Sequence, residues 1–296
     1  MKQTMTGADI VIALGVVIIW GVNFVVIKIG LQDLPPILFS ALRFLFAALP
    51  LVLFVKRPQT SLGLVLAYGL FQFSLQFTLL FTGIKLGLPA GLASLVIQLQ
   101  AFFTIGLAVL MLGERPKAAQ LLGALVALGG MALVAVHLDS KATLIGFVLV
   151  VLAAVCWAVA NITTKKMGQV GALSLVVWSS LVATPPLLLA SWLVEGGAAW
   201  QLAFHNFSLK TLAAVLFQSY PNTILGFGIW SMLMRRYPTA TVAPFSLLVP
   251  VAGMVSAALV LGEALQWWKV VAGALVLGGL ALNQFGGRLF KATALR

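Results

Sequence analysis

Long apolar stretches, separated by short polar segments, dominate the pattern of this chain of 296 residues. A helix needs about 20 apolar residues to cross a bilayer. Four stretches are longer than that and carry no charged side chain; they lie between residues 57 and 85, 85 and 114, 166 and 195, and 236 and 263. They are apolar on every side, whereas strands of a membrane barrel alternate between apolar and polar positions. The pattern predicts an all-α polytopic membrane protein.

A hydropathy window of about 19 residues predicts ten transmembrane helices. They cover residues 8–30, 35–55, 61–84, 89–112, 118–137, 143–164, 172–194, 209–233, 240–262 and 267–286. The first apolar segment lacks a small-residue cleavage site and continues to near Gly30. These features favour a retained first span over a cleaved signal peptide.

The composition excludes soluble classes of protein. Hydrophobic residues make up 62% of the chain and charged residues 8%, against about a quarter charged in soluble domains. The net charge of +12 comes from Lys and Arg dispersed in ones and twos, so no patch for nucleic acid is predicted and membrane lipid is the expected surrounding. With Cys156 as the single cysteine and two histidines, neither a disulfide framework nor a His/Cys metal site is predicted, and no cofactor is expected.

The distribution of positive charge predicts the orientation of the chain. The loops on the side of the N-terminus receive 12 of the 18 Lys and Arg, and the opposite side receives at most six. Since cytoplasmic loops carry the excess of positive charge, both termini are predicted to lie in the cytoplasm.

Several short motifs recur at a spacing of 149 residues, which indicates an internal repeat. The recurring pairs are Gly113-Glu114 with Gly262-Glu263, Gly129-Gly130 with Gly278-Gly279, and Pro89 with Pro238. Each pair alone could reflect helix packing, but the joint spacing favours a duplication. The two Gly-Gly pairs are expected to let the fifth and tenth helices approach their neighbours closely.

The start of each half also matches, at a different spacing. WGVNFVVIK from Trp20 is echoed by WAVANITTKK from Trp157, 137 residues later, and the polar stretch from Glu195 to Lys210 is the expected place of the insertion. Five spans is an odd number, so the second copy enters the membrane from the opposite face. We predict two inverted five-helix repeats, residues 1–140 and residues 141–296.

These motifs also resemble a known family. The WG.NF..IK first helix, LRF around Arg43, PAGLASLV from Pro89, GER from Gly113 and the GE…GG helix pair are similar to EamA-type members of the drug/metabolite transporter superfamily. Within this superfamily the chain most resembles bacterial inner-membrane exporters of cysteine and O-acetylserine. It resembles aromatic amino-acid exporters more distantly. The resemblance implies ten helices, cytoplasmic termini, two repeats, and a central cavity between the third, fourth, eighth, ninth, first and sixth helices.

Arg43 is the most informative single residue. Only 12 uncharged positions separate it from Lys56, so a span cannot fit between them and Arg43 must lie in the membrane. A guanidinium at that depth costs a few kcal/mol unless it faces water, carbonyl groups or an anion. One interpretation is recognition of a substrate carboxylate; the other is an arginine near the outer interface that snorkels or binds Asp33 or helix-end carbonyls. Nothing in the second half answers Arg43.

Amide side chains among apolar neighbours are the other candidates for a binding site. Gln72 and Gln76 are four residues apart and share a helix face, and an amide can both donate to and accept from a zwitterion. Hydrogen bonds between helices are the alternative role. The predicted substrate-binding residues, with the two tryptophans as cavity walls and Gln100 considered beside them, are Trp20, Asn23, Arg43, Gln72, Gln76, Gln98, Trp157, Asn161 and Asn222.

Prolines inside predicted spans indicate hinges. Pro221 in the eighth helix and Pro244 and Pro250 in the ninth each remove a helical hydrogen bond, and broken helices mark cavities more often than lipid-facing surface. All six carboxylates, in contrast, fall at span ends or in loops, so coupling to protons through a buried acid is disfavoured.

These features predict an inner-membrane exporter of amino acids and related small metabolites that works by alternating access. The choice of amino acids rests on the resemblance. Export of other drug-like or nucleoside-like metabolites and a lipid-carrier flippase accessory are the alternatives. A membrane-embedded enzyme has little support, since no acid and base pair and no nucleophile–histidine arrangement lies within the spans.

Overall fold

The computed structural model describes residues 5–112, 118–137, 143–168, 170–236 and 243–293. Within these ranges the chain is helical and has no strand. The first half contains α1 (Gly7–Gly30), α2 (Pro36–Ala48), α3 (Leu62–Lys85), α4 (Ala90–Val96, Ile97–Leu99 and Gln100–Leu112) and α5 (Ala118–Val136). The second half contains α6 (Leu144–Met167), α7 (Ala172–Val194), α8 (Leu209–Phe217, Gln218–Leu225 and Gly226–Arg236), α9 (Ala243–Leu248 and Val249–Leu261) and α10 (Trp267–Thr293).

The helices identify a multi-pass membrane protein. In the described part of the chain, seven helical stretches are long and apolar enough to cross a bilayer, and they belong to α1, α2, α3, α4, α6, α7 and α8. Shorter apolar stretches occupy Leu121–Leu133, Val249–Leu261 and Trp267–Gly279. Helices therefore occur at each of the ten predicted positions. Seven of them contain a described stretch that is both long and apolar enough to cross a bilayer.

Three predicted helices are interrupted where the sequence analysis expected none. α2 ends at Ala48 before Pro50 and is followed by a 3-10 turn, because proline cannot continue the hydrogen-bond ladder. α3 contains a π-helical segment, Gly69–Leu75, without any proline. α4 passes through a 3-10 turn at Ile97–Leu99. Hydropathy averaged over a window of about 19 residues does not reveal such local changes of helical pitch.

The hinge predictions have mixed outcomes. Pro221 lies inside the π-helical segment Gln218–Leu225 of α8, as expected for a distorted span. The interruption predicted for α9 exists as the 3-10 segment Ala243–Leu248, which includes Pro244; the side chain of Pro244 is outside the described residues. The prediction for Pro250 is wrong, because this residue stands in the first turn of Val249–Leu261, where its missing N–H leaves no gap inside the α-helix.

Helix bounds and helix distortions recur along the chain. α1 and α6 each contain 24 residues and begin 137 residues apart. The α-helical parts Gln100–Leu112 and Val249–Leu261 each contain 13 residues and begin 149 residues apart. The π-helical segments of α3 and α8 also begin 149 residues apart. The spacing changes from 137 to 149 residues between α6 and α8. In this interval the polar stretch after Glu195 forms a short helix, Gly196–His205, that the hydropathy analysis did not predict.

Hydrogen bonds at helix ends show which ends lie together. The end of α1 contacts the end of α3 through Lys85 Nζ, which donates to the carbonyl of Leu31. The start of α6 contacts the same region, since Thr143 Oγ1 donates to the carbonyl of Leu86 at 2.6 Å. We call this side of the bundle the distal face. On the opposite, proximal face, Arg236 at the end of α8 pairs with Asp9 in the first turn of α1 at 3.0 Å.

Glycines bring α5 and α10 into close contact. A Cβ atom at Gly279 would lie 2.4 Å from the carbonyl oxygen of Gly123, and one at Gly130 would lie 3.0 Å from that of Ala272. Gly129 and Gly278 have open space beside them. The expected close approach of these two helices is therefore made by one glycine of each pair.

A large side chain should have different effects on stability at Gly278 and Gly279 of α10. Gly279→Leu should lower the melting temperature of the purified protein in detergent by several degrees, because overpacking a close helix contact costs about 1–3 kcal/mol. Gly278→Leu is the matched control, since nothing lies within 4 Å of its Cβ position, and it should melt like the unmodified chain. Equal melting temperatures of the two variants would contradict the packing described for α5 and α10.

Candidate functional site

A cavity of about 410 Å³ lies at the centre of the bundle. Its walls come from α1, α2, α3, α4, α6, α8 and α9, which includes all six helices that the resemblance implied and adds α2. The nine predicted site residues all line it: Trp20, Asn23, Arg43, Gln72, Gln76, Gln98, Trp157, Asn161 and Asn222. Residues more than 200 positions apart in the chain are thus gathered around one space.

The wall between α1 and α8 is built around Trp20. Its indole Nε1 donates to the backbone carbonyl of Asn222 at 3.2 Å, inside the π-helical segment of α8. The ring packs against Phe227 and Trp230 at centroid distances of 5.5 and 5.3 Å. Gly226 is required at this contact, since a Cβ there would lie 2.5 Å from the indole nitrogen. The indole is therefore held in place and shapes the cavity wall.

The opposite walls carry amides that bond to one another. Gln72 Nε2 donates to Gln76 Oε1 at 2.6 Å along the distorted part of α3. Asn161 Nδ2 of α6 donates to Gln100 Oε1 at 2.8 Å and to Thr104 Oγ1 at 3.0 Å on α4. Both roles considered for these amides are thus visible, because they line the cavity and also connect helices. A solute could replace these contacts only with polar groups of its own.

Arg43 is fully buried within the bundle and lines the cavity. Its Nε donates to Thr223 Oγ1 of α8 at 3.0 Å, while the two terminal nitrogens have no hydrogen-bond partner among the described residues. Phe77 lies under the guanidinium, with its ring centroid 3.9 Å from the Cζ atom. The alternative that Asp33 binds Arg43 is wrong, since Asp33 accepts from Thr211 at 2.6 Å on the distal face.

Other buried amides lack partners as well. Asn23 Oδ1 and Asn222 Oδ1 have none among the described residues, and neither do Nε2 and Oε1 of Gln218, four residues before Asn222 on α8. Buried polar groups in proteins are nearly always hydrogen-bonded, so a cluster of exceptions marks a place where water, a ligand or another conformation completes the bonding. Gln218 was not predicted as a site residue and does not line the cavity in this conformation.

The four described carboxylates lie at helix ends, as expected, and each joins the first half of the chain to the second. Glu263 accepts from the backbone N–H groups of Ala90 and Gly91 at the start of α4. Glu195 accepts from the first N–H groups of α2, at 2.6 and 3.0 Å. A carboxylate stabilises a helix N-terminus by bonding to its unpaired N–H groups. Glu114 and Asp139 are outside the described residues.

Several lining residues were not predicted. Besides Gln100, which was considered with its neighbours, the main additions are Tyr68, Phe77, Thr164, Phe227, Trp230 and Ser246. Aromatic residues occur in every span and had no signal to separate them from packing or lipid-facing aromatics. Tyr68 directly precedes one π-helical segment and Phe227 lies two residues after the other, but these segments are visible only in the structure. No group of three His, Cys, Asp or Glu that could hold a metal ion occurs in the part of the chain that the structure describes.

Known proteins are similar to this chain in sequence and in fold. The EamA-like transporter family matches the chain twice, over residues 8–136 and again over residues 144–285. A solved crystal structure is similar with a TM-score of 0.65 at 18% identity, over 97% of this chain and 99% of that chain, a likeness of fold alone.

Curated relatives extend over the whole length. The chain is 45% identical to a probable amino-acid metabolite efflux pump of Salmonella typhimurium, over 96% of this chain and 97% of that protein. It is 43% identical to a probable amino-acid metabolite efflux pump of Escherichia coli strain K12, with 97% and 98% covered. A probable terminal-alkyne amino-acid exporter of Streptantibioticus cattleyicolor is 30% identical, with 90% of each chain covered.

Proposed function

We propose that this chain, which belongs to the EamA-like transporter family, exports amino acids and related small metabolites across the bacterial inner membrane by alternating access. The observation that carries the proposal is the central cavity, in which amides and aromatic rings from both halves surround one space inside a membrane protein. Relatives named as amino-acid metabolite efflux pumps and as an amino-acid exporter support the substrate class. Family and relatives are transporters, which argues against an enzyme.

We further propose ten transmembrane helices in two inverted repeats, residues 1–140 and 141–296. The recurring helix bounds support the duplication, as do the π-helical segments that begin 149 residues apart. The family match to each half is consistent with it. Inversion follows from the odd number of spans per half, and it puts symmetric elements on opposite faces, which is the construction used by many transporters that rock around a central site.

In this account the structure is the state in which the distal face is closed. Three acids on that face hold the halves together: Asp33 accepts from Thr211, Glu195 from the start of α2, and Glu263 from the start of α4. Lys210 Nζ also donates to Gln32 Oε1 at 2.9 Å.

The cavity lining, in contrast, reaches Thr164, three residues before the proximal end of α6. Release of a solute on the distal side requires these cross-half bonds to break.

The pi-helical parts of α3 and α8 suit this motion. Each lies at mid-span beside the cavity, and each contributes lining residues, Gln72 and Asn222. A π-helical turn interrupts the regular ladder of hydrogen bonds, and such turns are frequent at functional sites and hinges. We propose that α3 and α8 bend at these two segments when the halves move, with Pro221 and Pro244 permitting the corresponding change in α8 and α9.

The orientation proposal places the proximal face in the cytoplasm. In a Cys156→Ala background, Lys56→Cys should not react with an impermeant maleimide added outside intact cells, because it lies in a proximal loop beside Ser174. Lys210→Cys, on the distal face, should react. Both side chains are exposed, so accessibility by itself does not distinguish them. Labelling of Lys56→Cys alone would invert the topology and reverse the direction of transport proposed here.

The binding role of the cavity predicts a loss of affinity when its amide and indole side chains are removed. Asn23→Ala, Gln76→Ala and Trp157→Ala should each weaken the apparent affinity for the best-exported amino acid by about 5- to 150-fold, equivalent to about 1–3 kcal/mol. Proteoliposome efflux with a panel of amino acids measures this.

Leu128→Ala is the control for these variants, since Leu128 on α5 is exposed and does not line the cavity. Its affinity should equal that of the unmodified chain. If the three cavity variants fold and behave like Leu128→Ala, the amides serve only to connect helices and the solute binds elsewhere.

A further inference from the structure

The cavity has an uneven distribution of charge. Among its described lining residues Arg43 is the one charged side chain, while the other polar groups are neutral amides, hydroxyls and indoles. A zwitterionic amino acid brings one positive and one negative group into this space. The described lining therefore offers a full opposite charge to the carboxylate and none to the ammonium.

Arg43 lines the cavity and has two terminal nitrogens with which to bind that carboxylate, and a solute reaches them when the fully buried side chain turns into the cavity. Of its three nitrogen atoms, Nε donates a hydrogen bond to Thr223, and the two terminal nitrogens are buried without a partner among the residues that the structure describes. The rings of Phe77 and Phe44 lie 3.9 and 5.1 Å from Cζ. Cation–π contacts use the face of a guanidinium, whereas hydrogen bonds to a carboxylate are made in its plane, so the two kinds of contact are compatible.

No described carboxylate of the chain neutralises this charge. Asp9 pairs with Arg236 on the proximal face. Asp33, Glu195 and Glu263 accept hydrogen bonds on the distal face, and none of the four lines the cavity. A buried cation without a counter-ion is costly in a membrane protein, and pairing it with an anion removes much of that cost. The missing anion is one that a substrate can bring.

The ammonium group of a substrate meets weaker partners. The side-chain carbonyl oxygens of Asn23 and Asn222 accept no hydrogen bond from the described residues, and aromatic rings such as Trp157 line the same space. An ammonium group loses hydration free energy on entering the cavity, and neutral hydrogen bonds and cation–π contacts compensate for only part of that loss. The amino group consequently contributes less to binding than the carboxylate does.

We propose that Arg43 selects substrates by their carboxylate and that a free amino group is dispensable. The transported class then extends from amino acids to carboxylates without an ammonium group, such as N-acylated amino acids and 2-oxo acids of similar size. The inference rests on the proposed export function, and it names the part of the substrate that is recognised by charge.

Matched derivatives of one skeleton test the inference. Full-length protein in proteoliposomes is assayed for efflux of three series, built on serine, leucine and phenylalanine, each as the free amino acid, the N-acetyl derivative and the carboxamide. In every series that is exported, the N-acetyl derivative should bind within about ten-fold of the amino acid, while the carboxamide should bind at least about ten-fold more weakly, because it loses charge-assisted hydrogen bonds.

Variants of Arg43 assign this discrimination to the guanidinium. Arg43→Gln should lose the preference of acid over carboxamide, and Arg43→Lys, which keeps the charge but not the planar fork, should retain part of it. The ratio of two affinities in one sample does not depend on the folded fraction. Leu128→Ala should leave the ratio unchanged.

The outcomes separate the two proposals. Export of the carboxamides as good as that of the acids, or an acid preference that survives Arg43→Gln, overturns the carboxylate inference and leaves the export function standing. Loss of affinity on N-acetylation by far more than ten-fold also overturns it, since the ammonium would then be required. Absence of efflux for every compound in all three series overturns the proposed function, and the inference falls with it.

Discussion

Hydrocarbon offers no hydrogen-bond partner, and the arrangement of polar groups in this protein depends on that constraint. A polar side chain within a span must bond to another helix or face an internal space that admits water or solute. The glutamine pair of α3 and the Asn161–Gln100 bond satisfy the constraint within the protein. In the described part of the chain, the terminal nitrogens of Arg43 and the side-chain carbonyl oxygens of Asn23 and Asn222 have no such partner, and these three residues line the central cavity. The unsatisfied groups therefore mark the place where a solute is expected.

The same constraint explains where the carboxylates lie. An acid at mid-membrane would have to be neutral or paired, whereas an acid at a helix start bonds to N–H groups that have no partner in the helix. Glu195 and Glu263 use this arrangement, and in both cases the helix belongs to the other half of the chain. In the proposed gating, these bonds hold the distal face closed and are exchanged when the halves move. They connect the energetics of helix termini with the proposed gating.

The sequence was sufficient to predict the helical class, the positions of the helices and nine of the residues that line the cavity, because a polar side chain in an apolar segment must face another helix or an internal space. It did not predict the pi-helical parts of α3 and α8 or the 3-10 turn of α4, since hydropathy averages over these local changes of pitch. It also gave no reason to choose Tyr68 or Phe77 over other aromatics, because their role depends on which face of α3 meets the cavity. Pro250 was misjudged because its effect depends on where the α-helix begins, and the helix begins at Val249, one residue before the proline.

The central claim is that the distal face must open for export. Asp33 Oδ2 and Thr211 Oγ1 lie 2.6 Å apart across that face, so a pair of cysteines at these positions, in a Cys156→Ala background, can be joined across the halves by a short bifunctional thiol reagent that reduction cleaves. The account predicts that efflux from proteoliposomes stops in proportion to the cross-linked fraction and returns on reduction, while each single cysteine variant transports in both conditions. Undiminished efflux through fully cross-linked protein would contradict the account, because the solute would then leave by a path that does not open this face.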